Sequence, residues 1–277
     1  MNIFITGEHG YIAGRLKQAL SGEGRRCDAI SLRSGPEGFP DLSAYDTVIH
    51  CAALVHSKEN NPERFFRVNT DLTAALAEKS KRAGVKRFVF LSTMAVYGVS
   101  DSMRGLTVID SRTPENPQTP YGRSKLAAEN KLRAMACDGF NVYILRLPMV
   151  YGAGAPGNYA RLCRLVKLTP VFPKVSNKRS MIGIENLQNF VVNLLKYAEA
   201  GEAETDAAEY ARILCPQDPE PVCTSDMAAG IAAAYGKKLI LSDFLGRLIL
   251  LFPVGPVRKM FGSMVYAEKQ YSSPSRR

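Results

Sequence analysis

The chain has 277 residues, 46% hydrophobic and 22% charged, with 36 Lys and Arg against 26 Asp and Glu for a formal charge of +10. That length allows one large domain, or a domain with an appended smaller lobe, and the composition is ordinary for a soluble globular protein. The charge admits nucleic acid, an anionic membrane surface or a phosphorylated small substrate, but no nucleic-acid motif and no long Lys/Arg run accompanies it, so nucleic acid is set aside.

Residues 2–6 are a short apolar run ending at a glycine and predict a buried strand. Tyr11, Ile12, Leu16 and Leu20 recur at helical spacing over 11–21, with Gly22 and Gly24 as stop signals. A second strand is expected at 27–32, a loop at 33–41, a third strand at 47–53 and a long helix over 62–82 closed by Gly84. Lys79, Lys81, Arg82, Lys86 and Arg87 crowd the end of that helix, where its dipole favours cations. A fourth strand at 87–92 is followed by a loop holding Pro114, Pro117 and Pro120, a helix over 121–137, and a fifth strand at 142–147 ended by Pro148. Strands alternating with helices imply a parallel sheet covered on both faces, an α/β, Rossmann-like, doubly wound arrangement.

The pattern loosens beyond about residue 152. A helix at 158–168, a strand near 180–184, a helix at 186–199 and a strand at 211–215 predict outer sheet pieces mixed with a smaller C-terminal lobe. Residues 201–209 read as an acidic, Ala-rich linker, and Thr224 or Ser225 as the cap of a helix running to Tyr235. The apolar run 244–252, followed by Pro253, Pro256, Arg258 and Lys259, is too short to span a bilayer. It fits either a lid over a substrate pocket or a peripheral membrane contact. The last residues, 272–277, read as a disordered tail.

Cysteines at 27, 51, 137, 163, 215 and 223 form no CxxC pair, and histidines 9, 50 and 56 add no metal-ligand spacing, so no metal site is expected. Free thiols in apolar strands suit a reduced, cytoplasmic setting. The opening strand leaves no room for a signal peptide.

Three constellations carry chemistry. Gly7 and Gly10 lie between the first strand and the first helix, where the free N–H groups of the first helical residues, Tyr11 and Ile12, can receive a pyrophosphate. This predicts a dinucleotide site. Arg33, rather than an acid, follows the second strand, and a guanidinium suits a 2′-phosphate, which favours NADP over NAD. Ser92 and Thr93 end the fourth strand and offer hydroxyls at the edge where such sheets bind ligands. Tyr121 and Lys125, four apart on a helix, share one face, and an ammonium beside a phenol favours the phenolate needed for acid/base work.

Taken together and in order, TGEHGYIAG at 6–14, VIHCAA at 48–53, Asn69, LSTMAVYG at 91–98, YGRSK at 121–125 and LRLPMVYG at 145–152 resemble the extended short-chain dehydrogenase/reductase superfamily, in its NAD(P)-dependent nucleotide-sugar epimerase/dehydratase branch. The resemblance is specific over about 1–200 and looser beyond. It implies an NAD(P)-binding domain at 1–152 and a substrate lobe drawn from 153–277. It implies Tyr121 as catalytic acid/base, Lys125 as the group that lowers its pKa and binds the nicotinamide ribose, and Thr93 as the hydroxyl partner. It places Ser92, Pro148, Asn69, His50, Ala52 and Ala53 along the cofactor cleft. Met94 and Ala95 stand where sugar dehydratases carry Asp-Glu, so dehydration is disfavoured, and Met149 replaces a substrate-binding Asn of many epimerases. Met94 is then a substrate neighbour only, while Asn158 and Arg179 match the family's diphosphate contacts. Residues 157–166 and 177–180 are similar to the subgroup acting on UDP-N-acetylhexosamines in bacterial surface polysaccharide synthesis, comprising 4-epimerases and 4-keto reductases. Partners on this reading are a nucleotide sugar and NADP or NAD, with a homodimer and a membrane contact left open. Two further readings stand beside it: an epimerase of a lipid-linked sugar, and a non-catalytic NAD(P)-binding regulator. Relatives continue for tens of residues past 266–271, so part of the substrate lobe is expected to be missing.

Overall fold

A computed structural model describes residues 1–55, 61–99, 102–103, 105–200, 210–251 and 255–267. The apolar runs become strands β1 (Asn2–Thr6), β2 (Arg26–Ile30), β3 (Thr47–His50) and β4 (Arg87–Thr93), separated by α1 (Tyr11–Gly22), α2 (Pro62–Phe66) and α3 (Leu72–Arg82). A short β5 (Thr107–Ile109) precedes α4 (Pro120–Met135), β6 (Asn141–Leu147) and β7 (Met149–Tyr151). The rest comprises α5 (Asn158–Leu168), β8 (Val171–Pro173), β9 (Met181–Gly183), α6 (Ile184–Glu199), β10 (Ala211–Leu214) and α7 (Thr224–Ala234). β11 (Ile240–Ser242), α8 (Asp243–Leu251), α9 (Gly255–Phe261) and β12 (Met264–Tyr266) complete the described chain.

The main sheet has six parallel strands in the order β10-β6-β4-β3-β1-β2. Alternate residues of each strand face opposite layers. Ile3, Ile5, Val89, Leu91 and Leu145 pack beneath α1 and α6, against Leu16, Leu20, Val191 and Leu195. Phe4, Phe88, Phe90, Val142 and Ile144 pack on the other side against Leu76, Ala77, Ala128 and Leu132 of α3 and α4. The sheet is therefore doubly wound, as expected. After β2 the chain crosses to the other side of β1, and the carboxyl ends of β1 and β3 flank the crevice where such sheets take ligands. Residues beyond 152 complete this layer: α6 covers one face and β10 extends the edge.

The small lobe packs α5, β8, α7, β11, α8 and α9 around Leu162, Val166, Phe172, Ala228, Ile231 and Phe261. Three-residue strands make the pairs β8–β11, β7–β9 and β5–β12, the last tying residues 264–266 to 107–109.

Several expectations need correction. The third strand ends at His50 rather than 53, because the Thr6 hydroxyl accepts the backbone N–H of Cys51 (3.1 Å) and Ala52 (3.2 Å) and draws them off the ladder. The helix expected over 62–82 contains a π turn at Arg67–Asp71. Neither Thr224 nor Ser225 caps α7: Cys223 holds the N-cap position, while the Thr224 hydroxyl donates to Met260 O and that of Ser225 engages Pro173 O and Val175. The expected linker at 201–209 and tail at 272–277 lie outside the described residues. Among the described residues no helix is long and apolar enough to cross a membrane.

The turn after β4 has one tight point. Gly98 has φ +64°, and a Cβ there would stand 1.7 Å from Asn116 O, in the segment leading to α4. Gly98→Ala is expected to lower the unfolding free energy by at least about 2 kcal/mol in a urea titration, from left-handed backbone strain and the displaced loop together.

Candidate active site

α4 starts where it does for local reasons. Pro120 fits the first helical turn, and the Thr119 hydroxyl accepts the N–H of Gly122 at 3.0 Å. A Cβ on Gly122 would stand 2.8 Å from Ala95 O, so the helix rests directly on the turn that follows β4. Tyr121, Lys125 and Glu129, spaced by four, then fall on one face. Each engages one of the last three residues of β4. The Lys125 ammonium donates to Leu91 O at 2.7 Å, the Ser92 hydroxyl donates to the Glu129 carboxylate, and the Tyr121 phenol hydrogen-bonds Thr93.

Burial controls both ionisable groups of the pair. It pushes the Tyr121 phenol up to about 12, with the Thr93 hydrogen bond acting in the opposite direction. It brings Lys125 down to about 7, opposed by the nearby Glu129 carboxylate and Cys51. The ammonium lies 4.3 Å from the centre of the Phe90 ring. The expectation that Lys125 depresses Tyr121 is not met in the protein alone: burial raises the phenol, the Thr93 hydrogen bond is what opposes it, and the phenol keeps its proton. A protonated phenol beside a hydroxyl can donate to a substrate oxygen. Acting as a base requires a further positive charge nearby.

The glycine turn forms a cradle beside this pair. Gly7 has φ +81°, and a Cβ on it would meet Ala52 N at 3.0 Å; one on Gly10 would meet Gly7 O at 2.9 Å. Gly10 occupies the N-cap of α1 with no side-chain cap, and no acid lies in the first turn. Tyr11 Oη is buried without a partner among the described residues. Free helix N–H groups, close backbone approach and an orphaned hydroxyl fit a dinucleotide diphosphate. Tyr11 and Ile12 open the helix, and Arg33 is exposed just past the end of β2, whose Ile30 O accepts Gly7 N–H at 2.9 Å.

Other expected cleft residues act through their neighbours. Thr73 donates its one hydroxyl proton to Asn69 O (2.8 Å), so it accepts from His50 Nε2–H (2.9 Å). His50 Nδ1 then accepts from the Thr6 hydroxyl at 2.7 Å, and burial lowers its pKa to about 3. His50 is a neutral imidazole inside the fold, and its ring does not line a cleft. Asn69 accepts from Leu54 N (2.8 Å) and donates to Leu54 O (3.0 Å) and Ser124 Oγ (3.0 Å), tying the loop of Ala52 and Ala53 to α4. Ser92 is 4% exposed and spends its hydroxyl on Glu129, which corrects its assignment to the cofactor. Pro148 is buried between β6 and β7.

Met94, 8% exposed, follows Thr93 directly and is placed for apolar contact only. Asn158, exposed, is the first residue of α5 after Gly157. Arg179 is partly buried before β9 and donates to Gly262 O at 2.9 Å, so part of its guanidinium serves the small lobe itself. Among the described residues no cluster of three His, Cys, Asp or Glu could hold a metal.

Sequence reasoning missed Glu129 and Arg146. The carboxylate is fully buried and receives Arg146 Nη2 at 2.6 Å, Arg146 Nε at 3.1 Å and Arg133 Nη2 at 3.1 Å. Glu115 completes the network from the loop before α4. The available signals were a second step of four, from Lys125 to Glu129, and a lone charge inside the apolar strand NVYILRL.

Two measurements follow. Glu129→Gln should cost about 3 kcal/mol of stability by leaving Arg146 under-compensated in the interior, and adding Arg146→Met should recover part of that loss in the same urea assay. For His50, the folded pKa of about 3 lies below the unfolded value of about 6.5. Between these values the unfolded chain binds more protons, so the stability contribution is complete above about pH 6.5 and is lost as pH falls towards 3. Lowering the pH from 6.5 to 5 should therefore cost the wild type roughly 2 kcal/mol more than His50→Gln.

Residues 3–205 match the NAD dependent epimerase/dehydratase family. A UDP-glucose 4-epimerase of Vibrio cholerae is 35% identical over 263 residues, covering 85% of this chain and 76% of that one. An N-acetyl-alpha-D-glucosaminyl-diphospho-ditrans,octacis-undecaprenol 4-epimerase of Escherichia coli O157:H7 is 28% identical over 166 residues, covering 58% of this chain and 48% of that one. The solved structure of MoeE5 in complex with UDP-glucuronic acid and NAD has the same fold, with TM-score 0.72 at 20% identity, covering 100% of this chain and 95% of that one. The chain is a member of the NAD dependent epimerase/dehydratase family, with a Rossmann-like fold.

Proposed function

We propose that the protein interconverts configurations, or reduces a ketone, at carbon 4 of a hexose carried on a nucleoside diphosphate. The sugar is a UDP-N-acetylhexosamine or its 4-keto derivative, used in surface polysaccharide synthesis. The observation that carries this reading is the Thr93–Tyr121 hydrogen bond set above buried Lys125, at the strand ends beside an uncapped, glycine-lined helix N-terminus.

On this reading residues 1–152 hold the cofactor and parts of 153–277 hold the sugar nucleotide. A nicotinamide held by the glycine turn would supply the hydride exchange at the sugar carbon. Thr93 and Tyr121 hold the 4-oxygen between two hydroxyls. In the reducing direction the protonated phenol, at about 12, gives its proton to that oxygen as the carbonyl becomes an alcohol. In the oxidising direction the phenolate takes the alcohol proton back, and positive charge at Lys125 favours that state. Met94 and Ala95 have no group able to carry the second proton that dehydration needs. Asn158 and Arg179 serve the diphosphate, as the fork of a guanidinium matches phosphate oxygens. Arg33 beside the ribose end of the cradle supports NADP.

A second reading, an epimerase of a lipid-linked sugar diphosphate, is supported by the similarity to the Escherichia coli enzyme, whose named substrate shares the N-acetylhexosamine and the diphosphate. Reduced thiols at all six cysteines suit a cytoplasmic setting for either reading.

NMR of the purified protein with UDP-N-acetylglucosamine is expected to show the C4 epimer without added cofactor if the chain is an epimerase. A reductase instead consumes NADPH only when a 4-keto sugar is supplied. In either assay Tyr121→Phe should lower kcat by about 10²–10⁴-fold with little change in KM. Full turnover by that variant would overturn the assignment.

A further inference from the structure

We propose that α8 is a peripheral docking element that seats the small lobe on an anionic phospholipid surface. Of the eleven exposed large apolar side chains among the described residues, seven lie on this lobe: Leu165, Leu168, Tyr235, Ile240, Phe244, Leu248 and Leu251. Phe244, Leu248 and Leu251 are 73%, 40% and 68% exposed and recur at i, i+4 and i+7, so they form one outward stripe along α8.

The stripe is held outward by the opposite face. Gly246 is buried, and a Cβ there would stand 2.0 Å from Lys174 O, so the helix rests on backbone along that line. Asp243 pairs with Lys174 at 3.2 Å at the start of the same helix. Rolling α8 to hide Phe244 would break both contacts.

Charge selects the occupant. Between 235 and 261 the sequence carries Lys237, Lys238, Arg247, Arg258 and Lys259 against a single acid, Asp243. Lys237 closes the carboxyl end of α5 through Val166, Lys167 and Thr169 carbonyls, and Asp243 is neutralised by Lys174. Lys238, Arg247, Arg258 and Lys259 are exposed. Exposed apolar side chains on a lobe segment with an excess of exposed cations suit a surface with an apolar interior and anionic headgroups. A second copy docked by a two-fold axis would bring those cations against their own duplicates. The inference does not depend on which sugar the active site turns over.

The test uses the full chain, without substrate, in co-sedimentation with vesicles of phosphatidylcholine alone or mixed with phosphatidylglycerol. Binding is expected to the mixed vesicles only and to weaken in high salt. Phe244→Ser with Leu248→Ser should lower the partition coefficient by about tenfold or more, as should Arg258→Gln with Lys259→Gln. Thermal melting checks that both variants are folded; because the two pairs are altered separately, misfolding of one leaves the other as the test. No sedimentation with mixed vesicles, or equal sedimentation by wild type and the folded variants, overturns the proposal. A concentration-dependent dimer abolished by Phe244→Ser with Leu248→Ser also overturns it, assigning the stripe to self-association instead. Epimerase or reductase activity plays no part in the readout, so its loss and loss of vesicle binding are separable.

Discussion

The site depends on how one helix is registered against one strand end. Leu91, Ser92 and Thr93 are consecutive, and each holds a different turn of α4 through Lys125, Glu129 and Tyr121. An extended strand advances about 3.3 Å per residue and a helix about 5.4 Å per turn, so such pairing needs the two elements to cross rather than run side by side. The backbone carbonyl of Leu91 and the side chains of Ser92 and Thr93 satisfy that crossing with three polar contacts of different reach. A slide of α4 by a fraction of a turn would break all three. The Glu129–Arg146 pair matters for this reason: it ties α4 to β6 as well as β4, and it lies one turn beyond the lysine, outside the reacting volume. Buried ion pairs are weak sources of stability but strong penalties against misplacement.

A second polar chain fixes the glycine turn. Thr6, His50, Thr73 and the backbone of residues 51–52 form a line of hydrogen bonds with one consistent set of proton positions. Burial keeps the imidazole neutral, and because Thr73 donates to Asn69 O, Nε2 carries the hydrogen and the tautomer is determined. The loop of Ala52 is thereby held against Gly7, leaving no space for a side chain there. Asn69 carries the same order across to Ser124, whose hydroxyl also donates to Tyr121 O at 2.8 Å. The glycine cradle and the tyrosine helix are therefore parts of one connected polar structure.

What the sequence made legible were features with a local cause. Apolar runs marked β1, β2, β3, β4 and β6 of the main sheet, Gly22, Gly24 and Gly84 marked helix ends, and the spacing of Tyr121 and Lys125 set a shared helix face. What it hid were features decided by distant partners. The end of β3 depends on a hydroxyl 45 positions earlier in the chain, and the cap of α7 on carbonyls at 173 and 260. Ser92 and Thr93 look alike in sequence, yet alternation along β4 gives one to the Glu129 network and the other to the phenol. Of the six paired strands of three residues only β9 was expected; β5, β7, β8, β11 and β12 have too few positions to show a period of two.

The opposite shifts of Tyr121 and Lys125 have one origin, and it constrains how the centre works. Burial disfavours charge of either sign, so it drives the phenol up and the amine down, and both move towards neutrality. Holding a phenolate and an ammonium together away from water is thus disfavoured. The fully buried Glu129 limits this drift for Lys125 alone, since it favours the ammonium while lying a further turn away from the phenol. The lysine is consequently balanced near neutral pH, where small added fields decide its charge, and the phenol is not. Positive charge placed beside the pair would act on phenol and amine together, a coupling that an exposed Tyr–Lys pair would lack.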